Sequence, residues 1–268
     1  MLIFDLGTQR SSLMKLETYI PCEVLRPLVS SFAIQETAEE RTYNVLPGTG
    51  LVIGFQYRGR LSRIGSADEK LLSVSGVSGL ADTRRTFRNT PDTGTVLVFF
   101  REAGATPFFR EPLHELFRQS VSLDNFMRRS ELLVLEEQLV EATTSEQRVA
   151  AVEGFLIDRM TDTKRDDLVL AALALIHKTS GSIRVSELIR QLHISQSPLE
   201  KRFRHAVGTT PKKFASLVRM MDAIRRYDPA KPLSGLGYTA GFYDQSHFIK
   251  EFKAFTGDTP EVFFSGTQ

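Results

Sequence analysis

A single cysteine, Cys22, excludes an internal disulfide and a zinc site built on several thiolates. Tryptophan is absent. The five histidines are scattered, and only His114 falls in the first 164 residues. A metalloenzyme centre in that stretch would need a cluster of histidines and carboxylates, which is not there. No glycine-rich phosphate loop and no nucleophile motif can be found. We therefore expect no enzyme, no catalytic residue, no metal and no cofactor. No run of about 18 apolar residues exists, so no membrane helix is expected. The opening "MLIFDLGTQRSSLMKLETYIPC" lacks a basic start followed by a sustained apolar stretch. We read no secretory signal in it, and a cytoplasmic location is expected.

What is present is ordinary in amount and uneven in placement. The chain has 268 residues, 41% hydrophobic and 25% charged, enough for two modest cores. Net charge is only +2. From Arg165 onward, however, 15 Lys/Arg stand against 10 Asp/Glu, so that stretch carries +5 and the remainder −3. A basic C-terminal third is a weak pointer to an anionic partner, since an Arg-rich solvated surface reads the same way.

Periodicity divides the chain. Between about Leu25 and Phe109, "LVSSFAI" (28–34), "LVIGFQY" (51–57) and "TVLVFF" (95–100) read as strands. The turn formers "LPGTG" (46–50) and "NTPDTG" (89–94) lie between them. This predicts a β-sandwich or barrel. Helical spacing follows at 122–142, with Ser122 as N-cap and Leu132, Leu135 and Leu139 inward, and at 145–160, with Ser145 as N-cap. The polar segment "TDTKRDD" (161–167) reads as a linker, and the rest as short helices. The expected fold class is α+β overall. Residues 1–160 form a β-rich domain with trailing helices, read as an effector-binding or dimerisation unit. Residues 161–268 form an all-α domain.

The all-α part contains a duplication. "SQSPLEKRFRHAVGTTPKKF" begins at Ser195 and "DQSHFIKEFKAFTGDTPEVF" at Asp244. Gln196, Ser197, Lys201, Phe203, Gly208, Pro211 and Phe214 recur as Gln245, Ser246, Lys250, Phe252, Gly257, Pro260 and Phe263. The offset is always 49. Upstream of the first copy, "VSELIRQL" (185–192) is a short amphipathic helix, and "HIS" (193–195) is a break. Leu199 and Phe203 then face inward, leaving Gln196, Ser197, Glu200, Lys201 and Arg204 outside. In the second copy "PLSGLGYTA" (232–240) and the turn "GFY" (241–243) precede a helix capped by Asp244. There Phe248 and Phe252 face inward, while Gln245, Ser246, Ile249, Lys250 and Lys253 face outward.

Two short helices joined by a tight turn, the second with a polar and basic outer face, make a helix-turn-helix. The motifs span about 185–206 and 233–255. "SPLE" also fits a capping box on Ser197, which would start the first recognition helix two residues later than the second. The repeated glycines stop each recognition helix, and the repeated prolines open the next one. "TPKKFASLVRMMDAIRRYD" (210–228) reads as one helix of about 18 residues, roughly 27 Å. It is a spacer able to set two recognition helices about one DNA turn, roughly 34 Å, apart. Gln and Ser can bond base edges, and Lys can reach guanine or phosphate. Arg202, Arg204, Lys212, Lys213, Arg225 and Arg226 are expected on phosphates.

"GFYDQSHFIKEFKAFTGDTP" resembles the second helix-turn-helix of AraC-type transcription regulators, and the resemblance covers about Leu168 to Phe264. It implies a seven-helix DNA-binding domain. Carried over by position, the base-facing residues are Ser197, Glu200 and Lys201 in the first motif, and Gln245, Ser246 and Lys250 in the second. Departures from the pattern are Gly237, where alanine is usual, His193 at a turn position often held by glycine, and Pro198 inside the first recognition helix. More weakly, "PCEVLRPLVSSFAI", "VLPGTGLVIGF" and "VLVFFREAGATPFF" resemble the sensor domains that precede this module.

The resemblance implies double-stranded DNA as partner, RNA polymerase as a further one, an unidentified small-molecule effector, and a homodimer built on residues 122–160. Activation is favoured over repression on the same ground. The alternative reading makes the N-terminal half a small-molecule enzyme or a protein-docking module, with DNA binding secondary. Elsewhere, "RRTFR" (84–88) reads as an exposed charged loop rather than an anion site. Arg101 in "FFREAGATPFF" is a guess at a pocket residue, and His247 a locally bonded histidine rather than a DNA contact or base.

Overall fold

The computed structural model describes residues 3–4, 14–65, 67–162, 164–242 and 244–265. Its N-terminal half holds eleven strands among the described residues. They are β1 (Ile3–Phe4), β2 (Met14–Tyr19), β3 (Val29–Thr37), β4 (Arg41–Val45), β5 (Val52–Arg58), β6 (Leu61–Ile64), β7 (Glu69–Leu71), β8 (Ser75–Ser78), β9 (Arg85–Asn89), β10 (Thr93–Phe100) and β11 (Ser120–Ser122). They form two antiparallel sheets, ordered β1-β4-β9-β6-β7 and β11-β8-β5-β10-β3-β2.

Alternation along the strands of the larger sheet gives it two different faces. Val96 pairs with Ile34 and Phe55, and Val98 with Phe32 and Ile53. All six are buried and build a wholly apolar face. Helices α1 (Arg129–Glu141) and α2 (Ser145–Arg159) cover it: Phe155 meets Phe55 edge-on at 6.0 Å, and Leu132, Leu135 and Leu139 are buried. The opposite face carries Leu97 paired with Gly54, and Thr95 paired with Gln35 and Gln56. It looks across a cavity at the smaller sheet, where Tyr43 accepts a hydrogen bond from Gln35 Nε2 at 3.1 Å.

Two expectations fail here. The helix expected over 122–142 starts only at Arg129. Residues 120–122 pair with β8, and Ser122 caps a single 3₁₀ turn, Leu123–Asn125, through Asp124 N. Sheet pairing overrides helical periodicity at that point. The second helix is capped by Thr144 rather than Ser145, in a capping box with Gln147.

The C-terminal half is seven helices among the described residues: α3 (Asp167–Lys178), α4 (Val185–Gln191), α5 (Gln196–Val207), α6 (Pro211–Arg225), α7 (Leu236–Thr239), α8 (Gln245–Thr256) and α9 (Pro260–Ser265). Helix α6 has 15 residues, about 22 Å. The spacer is thus shorter than the expected 27 Å, because Arg226 ends it and Tyr227 turns away to stack on Phe264 at 3.7 Å. The helix expected over 232–240 is a 3₁₀ turn, Leu233–Gly235, followed by the single turn of α7. One continuous apolar core joins both halves.

Candidate nucleic-acid interface

The 49-residue repeat is geometrically faithful in its second half. Helices α5 and α8 each have 12 residues and begin and end at equivalent positions. The capping box on Ser197 is not realised: α5 starts at Gln196, in step with Gln245 of α8. Ser195, its N-cap, makes no side-chain cap bond, whereas Asp244 accepts from Ser246 N. Pro198 is tolerated because first-turn N–H groups have no intrahelical acceptor. Each helix stops at a glycine in the left-handed region, Gly208 at φ 94° and Gly257 at φ 90°. The next helix then opens on proline, with Thr210 capping α6 through Lys213 N. Leu199, Phe203 and Phe214 are buried in copy one, and Phe248, Phe252 and Phe263 in copy two.

Their outer faces agree with the spacing argument. Gln196, Ser197, Lys201 and Arg204 are exposed and Glu200 half-buried, with Gln196 Nε2 donating to Glu200 Oε1 at 2.8 Å. Gln245, Ser246, Lys250 and Lys253 are exposed on α8 together with Ile249. His247 pairs locally, 3.4 Å from Glu251 on the next turn. Gly237 explains its own departure from the pattern: a Cβ there would lie 3.1–3.3 Å from atoms of the buried Phe248 side chain. Of the turn 241–243, Tyr243 lies outside the described residues.

The basic residues expected on phosphates divide. Arg202 is held by both oxygens of Asp166, the N-cap of α3, at 2.6 and 2.8 Å. Burial works against ionisation of that carboxyl. Arg202 and the N–H groups of Val169 and Leu168 outweigh it and keep the pKa below the usual range. Arg226 pairs with Asp222, and Lys213 lies 3.5 Å from Asp82 and over the Phe117 ring. Arg204, Lys212 and Arg225 have no ion pair among the described residues.

The N-terminal half grips both copies at their repeated glycine corners. The Gly208 corner packs on the backbone of Leu113. At the Gly257 corner, Arg84 N donates to Phe255 O at 3.0 Å and Arg84 Nη1 to Asp258 Oδ2 at 3.0 Å. Beside copy one, His177 Nε2 lies 3.3 Å from Glu102 Oε1, which also accepts from Thr49 at 2.6 Å. Burial would raise the Glu102 carboxyl, but His177 and Thr49 hold it down to about 2.

The cavity between the sheets has a volume of about 310 Å³. "RRTFR" is not a loop around it but strand β9, whose inward-facing residues Arg85 and Phe87 line the wall. Pairing with β4 and β6 fixes that strand, and its charged composition hid it. Arg101 does not line the cavity; its Nε donates to Arg26 O. Its neighbours Phe99 and Phe100 do line it, as does Met221 of α6.

Two helix-turn-helix motifs joined by a helix define a DNA-binding fold. Residues 188–266 match the family described as a helix-turn-helix domain. Residues 17–122 match a family described as a domain of unknown function (DUF6597). The Msm operon regulatory protein of Streptococcus mutans is 26% identical over 153 residues, which are 56% of this chain and 55% of that protein. The chain thus spans about half the length of that relative. Among solved structures, ToxT from Vibrio cholerae is 12% identical, with a TM-score of 0.48 over 95% of this chain and 99% of that one. The AraC-like transcriptional activator CuxR is 15% identical, with a TM-score of 0.34 over 87% and 89%.

Proposed function

We propose that this protein is a sequence-specific transcription regulator. Residues 161–268 read DNA, and residues 1–160 sense a small molecule or dimerise, biasing that reading. Ser197, Glu200 and Lys201, flanked by Gln196 and Arg204, meet one major-groove segment. Gln245, Ser246 and Lys250, flanked by Lys253, meet the next. The observation that carries this reading is the pair of recognition helices with equivalent ends and exposed polar-basic faces. Arg204, Lys212 and Arg225 are the phosphate contacts. Arg202 positions α5 on Asp166 instead. Activation through contact with RNA polymerase is the sign we assign, on the resemblance of the motif, and the homodimer would use α1 and α2 in the cytoplasm.

Substituting Lys250→Ala should weaken binding to a selected duplex by about 1–3 kcal/mol at fixed salt and relax preference at one base position. An unchanged affinity and preference in a titration of both proteins would remove Lys250 from the interface. Chemistry in the N-terminal half is the weaker reading. The described residues that line its cavity include no carboxylate, imidazole or thiol to move a proton.

A further inference from the structure

The duplication sets the two reading faces side by side. On a helix, residues four apart stand in one row. The first row is Gln196, Glu200 and Arg204 on α5, and Gln245, Ile249 and Lys253 on α8. The second row is Ser197 and Lys201 on α5, and Ser246 and Lys250 on α8. At the offset of 49, Gln, Ser and Lys recur unchanged, and Arg204 and Lys253 are both cations. Within these rows only one position changes its chemistry. It holds an acid, Glu200, in copy one and an apolar side chain, Ile249, in copy two. Each is the fifth residue of a twelve-residue helix, so equivalent docking brings the two to equivalent base pairs.

Both residues are out of place on a basic face that meets phosphates. A carboxylate there is repelled by the DNA backbone unless a base donor offsets the loss. Gln196 Nε2 donates to one Glu200 oxygen at 2.8 Å, and the other oxygen has no partner among the described residues. The base donors in the major groove are the amino groups of cytosine and adenine. Adenine's lies beside the acceptor N7, which repels a carboxylate, so cytosine N4 is the fitting partner. Ile249 presents the opposite chemistry. It is 37% exposed, and its side chain, with no polar atom, gains from the groove only by covering an apolar group. The apolar group on the base edges there is the C5-methyl of thymine.

We propose that Glu200 and Ile249 are the pair that makes the two DNA segments differ. At the base pair facing this position, copy one selects cytosine and copy two selects thymine, while the neighbouring positions are read alike. This rests on the DNA reading proposed above and adds what distinguishes its two segments.

The test is selection from random duplex DNA with the full chain and with its Ile249→Glu and Glu200→Ile variants. The unmodified chain should yield two segments alike except at one position, with cytosine in one and thymine in the other. Ile249→Glu should turn that thymine into cytosine, and Glu200→Ile that cytosine into thymine, so either swap makes the segments alike. Titration of the selected duplex adds a readout that needs no variant. Deoxyuridine in place of that thymine removes only the methyl group and should weaken binding about fourfold, the worth of one buried group of that size. Ile249→Glu should abolish this sensitivity. The same base at that position in both segments, a swap that leaves selection unchanged, or full affinity for the uracil duplex would overturn the assignment and leave two-segment reading standing. Selection of no sequence by any of the three chains would remove both.

Discussion

The two helix-turn-helix copies are alike where they would meet DNA and unlike where they are supported. Recognition helices α5 and α8 share length, boundaries, glycine stop and following proline at an offset of 49. The first helices differ: α4 is a regular helix of seven residues, α7 a single turn of four behind a 3₁₀ turn. The turn is four residues in copy one and five in copy two, so its left-handed residue is His193 in one and Gly241 in the other, at an offset of 48. The contacts with the N-terminal half also differ in detail. Copy one meets the backbone of Leu113 and, through Lys213, Asp82 at 3.5 Å, whereas copy two is held by Arg84, whose N donates to Phe255 O and whose guanidinium pairs with Asp258. Duplication has kept the reading element constant, while packing has reshaped the element behind it.

The largest test of this comparison is in the two cores. Phe252 is fully buried and meets Phe248 and Phe263 edge-on and Phe264 at a tilt, whereas among the described residues Phe203 meets the ring of Phe214 alone, edge-on. Both Phe252→Ala and Phe203→Ala should cost about 3–5 kcal/mol in denaturant unfolding, with Phe252 at the upper end. A larger loss at Phe203 would reverse the assignment of the better-packed copy.

Acid should loosen copy one's side first. Glu102 is held down to about 2 in the folded chain, below its ordinary value near 4.5. Its contact with His177 therefore stabilises fully above about pH 4.5, and that stability is lost as pH falls towards 2. Glu102→Gln should flatten the pH dependence of the melting temperature across that window. A dependence identical to that of the unmodified chain would contradict the assignment.

The glycine corners come next. Both Gly208→Ala and Gly257→Ala force a side chain into the left-handed region, at about 1–2 kcal/mol. At Gly257 the new Cβ would also collide with the Arg84 guanidinium that holds Asp258. Gly257→Ala should therefore destabilise more than Gly208→Ala, and removing Arg84 should bring the two together. Equal losses with Arg84 present would mean that the ion pair contributes nothing to the second copy.

The smallest effect is expected at His193, at φ 50°. His193→Gly should relieve strain and raise stability by about 0.5–1 kcal/mol, making the first turn resemble the second. A loss on thermal melting would show that the His193 side chain supports the turn.

These contrasts also show what the residues made legible. The recognition helices could be read because N-cap, inward aromatics, glycine stop and proline start are local signals that repeat. The split first helix of copy two could not, since Leu233, Leu236 and Ala240 find their places through packing rather than period. The strand at 85–89 was hidden by its two arginines: Arg88 pairs outward with Glu69, while Arg85 reaches inward to carbonyls distant in sequence. The capping box at Ser197 was a local signal outcompeted by the start that the repeat imposes. The cavity needs both sheets and Met221 of α6, which lie far apart along the chain, so no local pattern announces it.

The central claim is that one chain reads two DNA segments with one duplicated element. Selection from random duplex DNA with the full-length protein tests it most directly. The account predicts two short conserved segments about one helical turn apart, with Lys201→Ala erasing preference in one and Lys250→Ala in the other. A single conserved segment, sensitive to only one of the two lysines, would contradict it.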